Sequence, residues 1–134
     1  MSRQLRQILQ VVEKDLNALN SKIAPNKLII HVREGLDSEF PNNRDYAYTF
    51  MNDNGEYVIV FSSKMYRAGL ARMRAIMRHE MAHALHFLNG NDDHSEQDTD
   101  DLAEQVWGDR LYYDDEDIQT LRQGKYPRPL YLHQ

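Results

Sequence analysis

His79-Glu80-Met81-Ala82-His83 sets two imidazoles one helical turn apart, with a carboxylate directly after the first. Residues four apart on a helix share a face, so both rings can reach one ion. Glu80 projects about 100° around the axis and can hold the water that such an ion activates. The chemistry this allows is metal-assisted hydrolysis: an ion polarises a carbonyl and lowers the pKa of water toward about 7, while a carboxylate carries the proton. A five-residue pattern of this kind also arises by chance. A third ligand, a helix and a cleft must therefore accompany it before it counts as a site.

Catalytic zinc takes three protein ligands plus water, with nitrogen and oxygen donors at about 2.0–2.2 Å. The chain has no cysteine, which leaves its six histidines and 21 acidic residues as metal-binding chemistry. His86 shares the face of the motif, but it stands about 10.5 Å from His79 along a straight helix, so lining a cleft suits it better than ligation. Glu96 follows a Gly-containing turn and would begin a helix that doubles back across the first, with Asp100 four residues on. That spacing can place the Glu96 carboxylate on zinc and leave Asp100 to accept the free ring N–H of a histidine ligand. His94, then Asp98, stand as the other candidates for third ligand. Glu96 and Asp98 equally suit the positive end of a helix dipole with no metal at all.

The elements that must position these residues follow from periodicity. Leu5, Ile8, Leu9, Val12, Leu16, Leu19 and Ile23 recur at helical spacing, which predicts an amphipathic helix from 3 to about 21, ended by Pro25-Asn26. Residues 28–32 form a short β-branched run, followed by a polar loop over 35–44. Residues 46–51 and 57–61 read as strands around Asn52-Asp53-Asn54-Gly55, a hairpin signal because Asn and Gly tolerate positive φ. Three strands, mostly antiparallel, are expected. Ser62 or Ser63 caps a stretch leading through Gly69 into the motif helix, which stops at Asn89-Gly90. On that helix Leu70, Met73, Met77, Met81, Ala84 and Leu88 form one apolar stripe, with His79, His83 and His86 nearly opposite. An acidic helix capped by Ser95, with Asp98 completing a capping box, carries Leu102, Ala103, Val106 and Trp107 toward the core. A short helix over 114–122 and an extended tail over 126–134 complete the expectation. Residues 89–98 lack the glycine and glutamate spacing of a calcium loop.

The fold class expected is α+β within a single domain over 1–134. The 41% hydrophobic content includes no run long enough to span a membrane, and the first residues lack an apolar signal core, which points to the cytoplasm. A net charge of −5 argues against nucleic acid as a partner. Arg67, Arg72, Arg74 and Arg78 precede the motif, whereas 92–117 is acidic apart from Arg110. This asymmetry fits two solvated helix faces that attract each other, or an acidic rim favouring basic substrates.

His79-Glu80-x-x-His83 followed by Glu96-x-x-x-Asp100 on the next helix resembles the gluzincin pattern in its smallest form, the minigluzincins, which include ImmA/IrrE-type and many phage-encoded or bacterial metallopeptidases. The order of elements also matches: leading helix, small sheet, motif helix, glutamate helix. The resemblance covers residues 46–108 well and the rest in outline. It implies a zincin-like fold, a Zn2+ cofactor on His79, His83 and Glu96, and Glu80 as general base. It further implies an edge strand, placed at Tyr57 to Phe61, that pairs with a peptide or protein substrate. The connection from His83 to Glu96 is short for that group. A competing similarity to SprT-like metallopeptidases would make His94 the third ligand, although the glycine and aromatic residues of that pattern are missing. Tyr112, Tyr113, Tyr126 and His133 are candidates for an oxyanion donor, and each is also an ordinary core or surface residue. Two further readings stand beside hydrolysis: a zinc-bearing binding or regulatory protein with little catalysis, and an accidental motif.

Overall fold

The computed structural model describes residues 2–41 and 46–108. The expected 114–122 helix, the tail, Arg110, Tyr112, Tyr113, Tyr126 and His133 lie outside the described residues. Among those described, three α-helices and one three-stranded mixed sheet form an α+β arrangement. No helix among them is long and apolar enough to cross a membrane.

Helix α1 spans Arg3–Ile23, begins at Ser2, whose hydroxyl accepts from Leu5 N, and buries Ile8, Val12, Asp15 and Leu19. The buried apolar spacing of four and then seven is the one that puts a single stripe against the core. Strand β1 covers Ile30–Glu34, two residues beyond the expected run; β2 covers Ala47–Met51 and β3 covers Tyr57–Phe61. Strands β2 and β3 form the expected hairpin. Within its loop Asn52 Oδ1 accepts from Asn54 N at 3.0 Å and Glu56 N at 2.9 Å, and Gly55 takes φ 77°. A side chain at position 55 would be strained there.

Sheet topology corrects the sequence expectation twice. The strand order is β1-β3-β2, with β1 parallel and β2 antiparallel to β3, so the sheet is mixed, not mostly antiparallel. Residues 57–61 also form the central strand and cannot be an edge. The physical reason lies in the side chains: Tyr57, Val58, Ile59, Val60 and Phe61 are all buried, and an unbroken apolar run suits a strand covered on both faces. Ile59 and Phe61 face the helices, while Val58 and Val60 are covered by Phe40 and Tyr48. The edge strand beside the candidate site is β2.

Helix α2 spans Leu70–Leu88 and is the axis of the molecule, packed by α1, α3, β2 and β3. The 3-10 helix Ser63–Arg67, capped by Ser62, precedes it. Met73, Met77, Met81 and Ala84 are buried as the stripe predicts, whereas Leu70 and Leu88 at its ends are exposed. Burial does not stop at that stripe. Arg78, His79 and Glu80 are also buried, so the motif sits inside the fold and not on a free face opposite a packed one. Helix α3 spans Glu96–Trp107 and ends at Gly108, which takes φ 83°. The capping box holds as expected: Ser95 Oγ accepts from Asp98 N, and Asp98 Oδ2 accepts from Ser95 N, each at 3.0 Å.

Candidate metal centre

Three features of the chain bring the motif and α3 together. Helix α2 stops where Gly90, at φ 76°, reverses the chain, and Asn91 N donates to His86 O at 2.9 Å. The capping box then fixes Glu96 as the first residue of α3. Thr99, fully buried, turns its hydroxyl onto its own helix by donating to Ser95 O at 3.0 Å, which lets a small side chain face α2 where the helices pack.

Glu96 Oε2 lies 2.6 Å from His79 Nε2 and 3.0 Å from His83 Nε2. The two rings stand nearly perpendicular with centroids 4.7 Å apart. Asp100 Oδ1 is 2.8 Å from His79 Nδ1, so that nitrogen carries the proton donated to the carboxylate. His79 therefore meets a carboxylate oxygen at each ring nitrogen. A neutral imidazole has only one N–H, so a second proton or a cation must lie between its Nε2 and Glu96. Burial pulls the His79 pKa down, but hydrogen bonds to Asp100 and Glu96 and the charge of Glu80 outweigh it and push the ring up to about 10.

Glu80 is buried beside the two rings, and potential donor atoms of His79, Glu80 and His83 all lie within 4.8 Å of one another. Thr49 Oγ1, from the edge strand, donates to Glu80 Oε1 at 3.1 Å. Burial raises the Glu80 pKa, with the charges of His79 and His83 and the Thr49 hydrogen bond pulling the other way. Such a carboxylate is poised to take up a proton nearer neutrality than an exposed one.

The other candidates are placed differently. His94 Nε2 lies 2.8 Å from His83 Nδ1, on the opposite side of that ring from Glu96. Asp98 spends its carboxylate on the cap, and its pKa is lowered by Ser95's backbone and hydroxyl. His86 stacks on His94 at 4.3 Å and approaches Asn91, away from the convergence point. The basic residues before the motif do not all look to α3: Arg74 and Arg78 reach Asp15 of α1.

A cleft of about 390 Å³ opens over the cluster, lined by Glu39, Phe40, Ala47, Tyr48, Thr49, Glu80, His83, Phe87 and Glu96. Sequence reasoning missed its strand and loop side. Thr49 alternates with Tyr48 on a strand whose edge position was assigned elsewhere, so the signal existed but pointed to the wrong wall. Glu39 is held by Arg33 at 3.1 Å, by Leu36 N at 2.6 Å and by Tyr48 at 3.0 Å. Its pKa is pulled down to about 2, chiefly by Arg33.

The donor set suits a divalent ion of the zinc type. Two imidazole nitrogens and a carboxylate oxygen converge, a carboxylate backs one ring, and an acidic side chain stands alongside without sharing their common oxygen. No protein-family model matches the chain, and comparison with curated proteins and with solved structures returns no match.

Proposed function

We propose that the chain is a zinc-dependent peptide hydrolase of zincin-like architecture, with His79, His83 and Glu96 as metal ligands and Glu80 as general base. One observation carries the reading: a single Glu96 oxygen faces Nε2 of both motif histidines, at 2.6 and 3.0 Å, while Asp100 occupies the far nitrogen of His79. A proton on His79 answers one of those two contacts, and a divalent cation answers both.

Zinc held by these residues would supply Lewis acidity, polarising a carbonyl and making water nucleophilic near neutral pH. Glu80, raised by burial and oriented by Thr49, takes the proton from the attacking water and returns it to the leaving amine nitrogen. Water adds across the C–N bond, giving one carboxylate and one amine. Asp100 holds the His79 ring against rotation through Nδ1. The β2 edge, Ala47–Met51, can pair backbone to backbone with an extended peptide along the cleft. Phe40, Tyr48 and Phe87 make its lining partly aromatic, which favours an apolar side chain beside the scissile bond.

Glu80→Gln tests the assignment. It should leave zinc bound and lower peptide cleavage by about 10²- to 10⁴-fold, the range for removing a general base. An unchanged biological effect in that variant would favour the alternative of a zinc-bearing binding or regulatory protein on the same fold. Absence of bound zinc in the wild type would remove both readings.

A further inference from the structure

We infer that His94 is a positioning residue: it accepts a hydrogen bond from His83 and so keeps the His83 Nε2 lone pair aimed at the point where Glu96 and His79 converge. The inference rests on the metal-site reading above and extends it to a residue that sequence reasoning offered only as a rival ligand.

Asn91 O lies 2.7 Å from His94 Nδ1, and a backbone carbonyl only accepts, so His94 Nδ1 carries a proton. In its neutral form His94 then has a bare Nε2, which stands 2.8 Å from His83 Nδ1. That nitrogen must be the donor, which makes Nε2, 3.0 Å from Glu96 Oε2, the nitrogen that keeps its lone pair when the ring binds a metal. The alternative acceptor for His83 is poorly placed: Thr99 Oγ1 is 3.5 Å away and points its own proton at Ser95 O. The two motif histidines are thus backed in different ways, His79 by the Asp100 carboxylate and His83 by an imidazole that is itself anchored on the main chain.

The fold gives a reason for the residue being at position 94. The Gly90 reversal folds the link onto the last turn of α2, where Asn91 N binds His86 O and His94 stacks on His86. The same short link that carries the chain to Glu96 delivers an acceptor to the back of His83.

Zinc titration under chelator competition, with cobalt(II) spectra of the same proteins, tests this on the wild type, His94→Leu and His94→Gln. Leucine fills similar space without accepting, whereas glutamine offers a carbonyl. The expected result is a zinc affinity about 10- to 100-fold weaker for His94→Leu, the range for losing such a partner, with most of it restored by glutamine. The cobalt spectrum should report an unchanged ligand set in all three. Wild-type affinity in His94→Leu overturns the inference, as does equal weakening by both substitutions, which would mark a packing role. A changed cobalt spectrum overturns it by making His94 a ligand. Failure of the wild type to bind zinc is read before any variant and removes the parent reading instead.

Discussion

Arg78 and His79 are neighbours on α2, both buried and both facing carboxylates, yet their surroundings obey opposite rules. Arg78 Nε and Nη2 donate to the two oxygens of Asp15 at 2.9 and 3.1 Å. Its guanidinium also lies over Trp107, 5.3 Å from the ring centroid, while Trp107 Nε1 donates to Asp15 O at 2.9 Å. Donors there meet acceptors, and Arg74 adds a second cation to Asp15 at 3.4 Å. One residue later the carboxylates outnumber the cation: Asp100 and Glu96 flank His79, and the same Glu96 oxygen also faces His83. Geometry of the first kind joins α1, α2 and α3. Geometry of the second kind leaves a carboxylate oxygen shared between two imidazoles, which a proton satisfies in part and which the proposed ion would satisfy in full.

The comparison is broken most severely by removing a partner from the closed cluster. Arg78→Met leaves buried Asp15 with only the longer Arg74 contact, at 3.4 Å, so denaturant unfolding should show a loss toward the lower end of about 3–5 kcal/mol. The loss should be equal with zinc and with chelator, because the contacts Arg78 makes with Asp15 and Trp107 lie outside the proposed donor set. Glu96→Gln should behave in the reverse manner. At a zinc concentration 100 times the wild-type dissociation constant, the ion should stabilise the wild type by about 2.7 kcal/mol, and the variant should lose most of that gain. An equal zinc response in both proteins would contradict the assignment of Glu96.

Acidity separates the clusters next. In the chelated protein His79 is held up to about 10, above an ordinary value of 6.5. A raised pKa contributes stability that is fully present below the unfolded value and is lost as pH rises through the folded one. Thermal unfolding of chelated protein should therefore show stability declining from about pH 6.5 toward 10. The added stability from zinc should grow over the same interval, since the ion no longer competes with that proton. A zinc increment that shrinks across this window would oppose the account.

The smallest effect falls on Thr49. Thr49→Val removes the donor that restrains the Glu80 pKa, so the acidic limb of the pH–activity profile should move upward. A hydrogen bond contributing about 0.5–1.5 kcal/mol corresponds to about 0.4–1.1 pH units. A limb that stays in place would detach Thr49 from the general base.

Much of the helical framework was legible because each helix carries its own signals. Ser95 and Asp98 announce the start of α3, Asn89-Gly90 the end of α2, and the Ile8, Val12, Leu19 spacing the packed face of α1. Glu96 and Asp100 could be set against His79 because a reversed helix after a short link leaves few other directions. Sheet order was harder, since the hairpin fixes only that β2 and β3 are neighbours. The placement of β1 beside β3 depends on contacts distant in sequence, and the one local sign of it is the unbroken apolar run over 57–61, which suits a central strand. The back of the site was least legible. Nothing in the spacing of His94 says whether it meets His83 at the ligating or the rear nitrogen, because that depends on how the link folds over the end of α2.

A zinc-edge anomalous map of crystals grown with zinc distinguishes a metal centre from a cluster bridged by protons. The account predicts one strong peak bonded at about 2.0–2.2 Å to Nε2 of His79, Nε2 of His83 and a carboxylate oxygen of Glu96. A featureless map at that point, or a peak whose ligands exclude Glu96, would contradict it.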